Sequence, residues 1–96
     1  MSGRFSSPRP NLVESDEGFS VEVLGRTGLR YAEQGRTIFI DSEVLATADA
    51  MALYSVSIGA WDPPHENDVL SQTDREDIID KIRRAFTSQG WTLEVI

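Results

Sequence analysis

The sequence predicts an α+β domain: a mostly antiparallel sheet of about five strands, one long helix packed across one face, and a terminal strand after the helix. Three observations lead to this fold. Several short segments alternate apolar and polar residues, which is typical of half-buried strands. One later segment carries apolar residues at helical spacing, and a final alternating segment follows it. The length of 96 residues allows a single core.

The first residues differ in composition from the rest. Residues 1–16 are rich in Ser, Pro and Arg and are predicted to form a flexible tail, which leaves residues 17–96 as one domain. This start lacks the apolar run of a signal peptide, and no stretch has membrane-spanning length. Because the chain also has no cysteine, we expect a soluble, cytoplasmic protein.

Three strands are predicted in the first half of the domain, at residues 19–23, 28–32 and 37–41. The glycines of 25–28 supply a turn before the second strand, and 33–36 reads as a tight hairpin connection. The third strand is apolar on both faces and should lie centrally in the sheet.

The next stretch is harder to assign. Residues 42–46 either continue the third strand or bend away, and 47–50 are predicted to form a loop. Alternation predicts a strand at 51–58, although the alanine-rich run 44–53 also suits a short helix. The last strand, with Trp91, Leu93 and Val95 on one side, is predicted after the helix.

The helix is predicted over 73–90. Thr73 can cap its first turn with Glu76 reaching back, and Gly90 supplies a left-handed residue at its end. The pairs Asp77/Lys81 and Asp80/Arg84 are interpreted as ordinary solvated pairs. One apolar stripe would pack on the sheet, formed by Ile78, Ile79, Ile82, Ala85 and Phe86.

The chain is acidic, with sixteen Asp and Glu against nine Lys and Arg and a formal net charge of −7. No Lys or Arg lies between Arg36 and Arg75. Such a surface disfavours nucleic acid as a partner. Two interpretations stay open: the acids solubilise outward positions, or they form an electrostatic landing site for a basic protein. The acids of this stretch are Asp41, Glu43, Asp49, Asp62, Glu66, Asp68 and Asp74.

The most distinctive loop is 59–68, GAWDPPHEND. Its two prolines favour an extended, stiff backbone, so the loop is predicted to project as a recognition surface. Trp61 either anchors this loop in the core or stands out as a contact residue for a partner.

Enzyme signatures are missing from the sequence, which has no nucleophile elbow, phosphate-binding loop or zinc-protease motif. A metal-dependent hydrolase would have to use His65, but a lone histidine beside carboxylates lacks a second nitrogen ligand. Asp41 and Glu43 share one strand face, where outward charge alternation explains them better than acid–base work. The sequence therefore predicts no enzyme, no metal and no cofactor.

A family resemblance rests on the second half of the chain. Ser57-Ile58 precede the element Trp61-Asp62-Pro63-Pro64, a helix opens with Ser71-x-x-Asp74-x-x-x-Ile78-Ile79 and continues as Ile82-x-x-Ala85-Phe86, and Gly90-Trp91-x-Leu93-Glu94-Val95-Ile96 closes the chain. Together these motifs resemble the bacterial immunity protein 74 family. Proteins of that family are encoded beside polymorphic toxins, including those of contact-dependent growth inhibition systems.

The resemblance implies a function as a stoichiometric inhibitor. The chain would bind a cognate toxin domain one to one as a monomer, with no membrane or nucleic acid involved, and block the active site or substrate entrance. A nuclease toxin would present a basic groove that suits an acidic inhibitor. An adaptor or assembly subunit that self-associates along its terminal strand is the alternative. The residues predicted to contact the partner are Asp41, Glu43, Asp49, Trp61, Asp62, Pro63, Pro64, His65, Glu66 and Asp68.

Overall fold

The computed structural model describes residues 4–46 and 49–96 and confirms the α+β fold. Within these residues one curled sheet of seven strands carries a single α-helix, so the strand count exceeds the prediction. The elements are β1 (Phe5–Arg9), β2 (Leu12–Ser15), β3 (Phe19–Val23), β4 (Thr27–Glu33), β5 (Arg36–Val44), β6 (Ala50–Leu53), α1 (Gln72–Ser88) and β7 (Thr92–Val95).

The sheet follows the chain from one edge to the other in the order β1 to β7. The first six strands form an antiparallel meander, and each pairs with its neighbour in sequence. The last strand, β7, runs parallel to β6 because α1 lies in the connection between them. This connection lays the helix across the concave face of the sheet.

Of the predicted flexible tail, residues 1–3 lie outside the described residues, and residues 5–15 form the first hairpin of the sheet, β1 and β2. Asp16 accepts a hydrogen bond from the backbone N–H of Arg4 at 2.9 Å and closes the hairpin. Val13 is buried opposite Val21, and the ring of Phe5 meets that of Phe19 edge-on at 6.0 Å. These apolar contacts explain why a segment of tail-like composition is ordered here.

The third predicted strand is β5, which extends through Val44 and so includes residues that the pattern left open. Its two faces differ: Ile38 and Ile40 are buried, whereas Phe39 is 47% exposed. The prediction of a strand apolar on both faces is therefore wrong for Phe39. The loop predicted at 47–50 lies partly outside the described residues, which leave out 47 and 48.

The strand predicted at 51–58 is correct only in its first half. β6 ends at Leu53, and residues 55–57 form a 3-10 turn instead. The hydroxyl of Ser57 donates to the carbonyl of Tyr54 at 2.7 Å and accepts from the N–H of Asp41 at 2.9 Å. A serine side chain that bonds backbone groups in this way competes with strand pairing. The alternative short helix does not form in the described part of 44–53.

The helix starts two residues earlier than the cap prediction required. Ser71, not Thr73, is the N-cap, and its partner in the capping box is Asp74, not Glu76. At the other end Gly90, with φ of 80°, allows a Schellman closure in which the N–H of Trp91 reaches the carbonyl of Phe86 at 2.9 Å. The predicted stripe faces the sheet, with Ile79 only partly buried and Ile78, Ile82, Ala85 and Phe86 buried.

One core fills the space between the concave face of the sheet and the helix. The side chains of Leu29, Tyr31 and Leu53 are fully buried there. No helix in the described part of the chain combines the length and the apolar character needed to cross a membrane.

Candidate partner-binding surface

Two cations of the helix, Lys81 and Arg84, form ion pairs with acids of the sheet. Lys81 Nζ lies 2.9 Å from Asp77 Oδ2, as the helical spacing predicts, but also 2.8 Å from Glu33 Oε2 at the end of β4. Arg84 likewise pairs with Asp80 at 3.3 Å and with Glu17 in the β2–β3 turn at 3.2 Å. The interpretation of ordinary solvated pairs is therefore incomplete, since each cation ties the helix to a hairpin.

The ion pair of Lys81 with Glu33 is connected to the core by a hydrogen bond from the buried Tyr31. The hydroxyl of Tyr31 donates to Glu33 Oε1 at 2.7 Å, so one carboxylate joins a buried phenol to a helix cation. Burial is the main reason that the pKa of Tyr31 is raised, and the bond to Glu33 adds to it. Burial alone would lower the pKa of Lys81, but hydrogen bonds to Glu33 and Asp77 outweigh it and the pKa is raised.

The loop 59–68 folds back on the sheet and does not project. Trp61 is 4% exposed, with its ring 6.3 Å from that of Tyr31 and the Arg36 guanidinium 4.5 Å above it. Asp62 donates its N–H to the carbonyl of Thr37 at 2.8 Å and accepts from the Thr37 hydroxyl at 3.1 Å. The loop therefore covers the edge of β5 that β6 leaves open, and Trp61 is a core anchor.

The remaining loop residues differ in their surroundings. Asp68 pairs with Arg36 at 3.5 Å, and Nδ1 of the half-buried His65 lies 3.7 Å from the same carboxylate. Glu66 is exposed, as are Pro63 and Pro64, which are joined by a cis peptide bond. Asp68 thus has a cationic partner within the same chain, Arg36.

The face of the sheet turned away from α1 carries acids that form no ion pair in the described residues. Asp41 and Glu43 alternate with buried residues of β5 and point outward beside Phe39. Glu43 on β5 and Glu94 on β7 both pair with Ala52 of β6, which lies between them. The backbones of Glu43 and Glu94 are therefore two strand spacings apart, about 10 Å. Asp41, Glu43 and Glu94 have no cationic partner within 4.0 Å among the described residues.

We name this surface the outer acidic face, formed by Phe39, Asp41, Glu43 and Glu94. The hydroxyl of Tyr54 donates to Glu43 at 2.9 Å and holds that carboxylate at the edge of the face. This hydrogen bond raises the pKa of Tyr54. The sequence prediction missed Phe39, Tyr54 and Glu94 as surface residues. Glu94 could have been found from the outward alternation of the last strand.

The structure brings only two of the ten predicted contact residues into this face, Asp41 and Glu43. Asp62 lies at the border of the outer acidic face, where it accepts a hydrogen bond from the Thr37 hydroxyl. Asp49 is exposed in the turn before β6, and its carbonyl accepts from the N–H of Thr92 at 2.8 Å. Trp61 is buried, and Asp68 is paired.

Residues that could hold a metal do not converge. In the ranges 4–46 and 49–96 no three His, Asp or Glu side chains are placed to ligate one ion. His65 has Asp68 as its only carboxylate neighbour within 4.0 Å in those ranges. The loop instead shows one ion pair, Arg36 with Asp68, and the imidazole of His65 lies beside the same carboxylate.

Comparisons with known proteins agree with the resemblance seen in the sequence. No curated protein and no solved structure matches the chain significantly. A family model described as Immunity protein 74 matches residues 20–96, from β3 to the end of the chain. The match includes the whole loop 59–68, α1 and β7, as well as the strands that carry the outer acidic face. The chain therefore belongs to the immunity protein 74 family.

Proposed function

We propose that this chain neutralises a cognate bacterial toxin by forming a one-to-one complex in the cytoplasm of the cell that makes it. Family membership supports an immunity function directed at a toxin. The binding surface that we propose is the outer acidic face, flanked by the exposed Pro63, Pro64 and Glu66 of the loop. Inhibition follows from occupancy, since a protein seated on the toxin excludes its substrate.

One observation carries this choice of surface: three carboxylates without a cation within 4.0 Å lie on the same outward face of the sheet as Phe39, whose ring is 47% exposed. The fold leaves these charges unbalanced, although it pairs acids at Glu17, Glu22 and Glu33. An exposed aromatic residue surrounded by charge suits a protein interface, in which ring burial supplies affinity and the charges steer encounter.

The toxin that fits this surface is basic where the two proteins meet. A nuclease from a contact-dependent growth inhibition system meets that condition, because its substrate groove must attract phosphates. Carboxylates of the outer acidic face would then occupy positions that substrate phosphates take. In this proposal Asp49 and Asp62 add to the surrounding negative field, His65 offers a neighbouring contact, and Asp68 contributes less charge because it pairs with Arg36.

The test is co-expression with the protein encoded immediately upstream of this chain. We expect a stable one-to-one complex on size-exclusion chromatography with light scattering, and restored growth of cells that express the upstream protein. A chain that forms no complex but associates with itself would instead support the adaptor alternative.

The surface is tested by charge reversal. Asp41→Lys with Glu43→Lys should slow association about tenfold or more and flatten its dependence on salt. The matched control is Glu14→Lys with Glu76→Lys, which reverses two exposed charges, one on β2 and one on α1, and so changes the net charge by the same amount. Association rates from surface plasmon resonance that fall equally in the control would show a net-charge effect and refute this site.

A further inference from the structure

Among residues 4–46 and 49–96 the sheet has three stretches of strand edge that could accept a partner, and two of them are protected. β1 contains Pro8, which has no N–H to donate, and its register shifts between Ser6 and Arg9. The part of β5 beyond β6 is covered by Ser57 and Asp62, which bond its backbone. The outer edge of β7 remains. Its sequence, TLEV, has no proline, lysine or arginine that would block pairing.

The backbone of β7 offers a regular set of partners along that edge. The N–H of Thr92 donates to Asp49 and that of Ile96 to Leu53, both at 2.8 Å. Because hydrogen bonds alternate along a parallel strand, the N–H and C=O groups of Leu93 and Val95 point away from β6. Two donors and two acceptors therefore face outward, spaced for another strand.

The two sides of this edge differ in chemistry. On the helix side, Val95 borders an open cavity of about 310 Å³ next to the partly buried Ile79 and to Val56, which is 92% exposed. Gln72 and Arg75 form the rim of that cavity. On the opposite side lies Glu94, which belongs to the outer acidic face. A strand added here would need an apolar side chain on one side and a basic one on the other.

A second copy of this chain fits poorly at this edge. Antiparallel pairing through Leu93 and Val95 would place Glu94 directly opposite Glu94 of the other copy, and like charges in that position destabilise a pair. Each chain also carries a net charge of −7, which adds repulsion between copies. The charge of the edge thus selects a basic partner over self-association.

We propose that β7 accepts an extended segment of the toxin as an eighth strand. The segment alternates apolar residues, which face the cavity beside Val95, with a Lys or Arg that faces Glu94. Backbone hydrogen bonds supply affinity and the alternating side chains supply specificity, as in other cases of strand addition. This inference rests on the proposed function, because it names how the same partner attaches next to the outer acidic face.

Hydrogen exchange on the complex with the upstream-encoded protein tests the inference without mutation. We expect the amides of Leu93 and Val95 to exchange at least about tenfold more slowly in the complex. The amide of Glu94 bonds β6 in the free protein and serves as an internal control. A stable complex in which Leu93 and Val95 exchange at unchanged rates would overturn strand addition and leave the immunity function intact. Failure of any complex to form would overturn both.

Two variants give an independent readout of affinity. Val95→Pro removes an N–H that this chain does not use internally and should raise the Kd by about tenfold to a hundredfold. Glu94→Lys should weaken binding through charge while leaving the backbone groups in place. Circular dichroism spectra and melting temperatures near those of wild type qualify each variant as folded. Wild-type affinity in a folded Glu94→Lys and a folded Val95→Pro would refute the proposal.

Discussion

Two regions of the sheet use carboxylates in opposite ways. On β3, β4 and the turn before β3, Glu22, Glu33 and Glu17 each bind one or two cations. On β5 and β7, Asp41, Glu43 and Glu94 bind none of the cations that the structure describes. We call the first group the paired acids. This difference is the reason that we place the proposed binding surface at acids without a cationic partner and do not infer it from net charge alone.

The largest effect on stability is expected from removing the cation of one paired acid, namely Lys81, which binds Glu33. Its side chain is 16% exposed, and Lys81→Met keeps the aliphatic length while leaving the carboxylate of Glu33, which accepts from the Tyr31 hydroxyl, without its cation. We expect a loss of about 1–3 kcal/mol in the free energy of unfolding. Urea denaturation measures it, with Arg83→Met, an exposed helix position, as control. Equal stability of the two variants would show that the paired acids do not hold the helix.

A smaller effect on stability is expected at the helix cap, where Ser71 and Asp74 interact locally and not across the fold. Ser71→Ala should cost about 1 kcal/mol of unfolding free energy, and Thr73→Ala should cost much less because Thr73 is not the cap. If Thr73→Ala proved the more harmful variant, the cap assignment would be wrong.

The same cap has a pH dependence. Hydrogen bonds from the backbone and side chain of Ser71 lower the pKa of Asp74 below its usual 3.8. A carboxyl whose pKa is lowered by folding stabilises the protein above its unfolded pKa, and this contribution is lost as pH falls through the folded value. The difference in stability between wild type and Asp74→Asn should therefore be constant near neutral pH and shrink below pH 3.8. A difference that stays constant into acid would contradict this assignment.

The smallest effect on stability is expected on the outer acidic face. Asp41→Asn with Glu43→Gln removes two charges that no cation balances, so the melting temperature should stay unchanged or rise slightly. The same variant should bind the toxin more weakly. Calorimetric melting and affinity measured on one preparation would show the contrast with Lys81→Met most directly. A marked fall in melting temperature would mean that these acids serve the fold after all.

Much of the fold could be predicted because it is local. The helix stripe, the terminal strand and the strands at 19–23 and 37–41 all follow from spacing along the chain. The N-cap was missed because Ser71-x-x-Asp74 and Thr73-x-x-Glu76 overlap, and sequence does not rank them. The first hairpin was missed because its residues have the composition of a tail, while its order depends on Phe19 and Val21, which are later in the sequence.

The candidate surface was less accessible to prediction for a related reason. The acids of the middle segment could be identified, but which of them are balanced depends on distant partners. Arg36 meets Asp68, Lys81 meets Glu33 and Arg84 meets Glu17 across separations of 32, 48 and 67 residues. Only the folded chain shows that Asp41, Glu43 and Glu94 share one outward face of the sheet and have no cation within 4.0 Å among the described residues.

The parallel pairing of β6 with β7 also has a kinetic consequence. Each earlier strand pairs with the strand just before it, so those contacts require only short loops to close. β7 joins the sheet only after the long connection through α1 has closed, which costs more chain entropy and slows formation. We therefore expect β7 to dock late in folding. Until it does, the apolar strand β6, AMAL, is itself an open edge, and we expect chains in which β7 has not yet docked to be the most prone to aggregate.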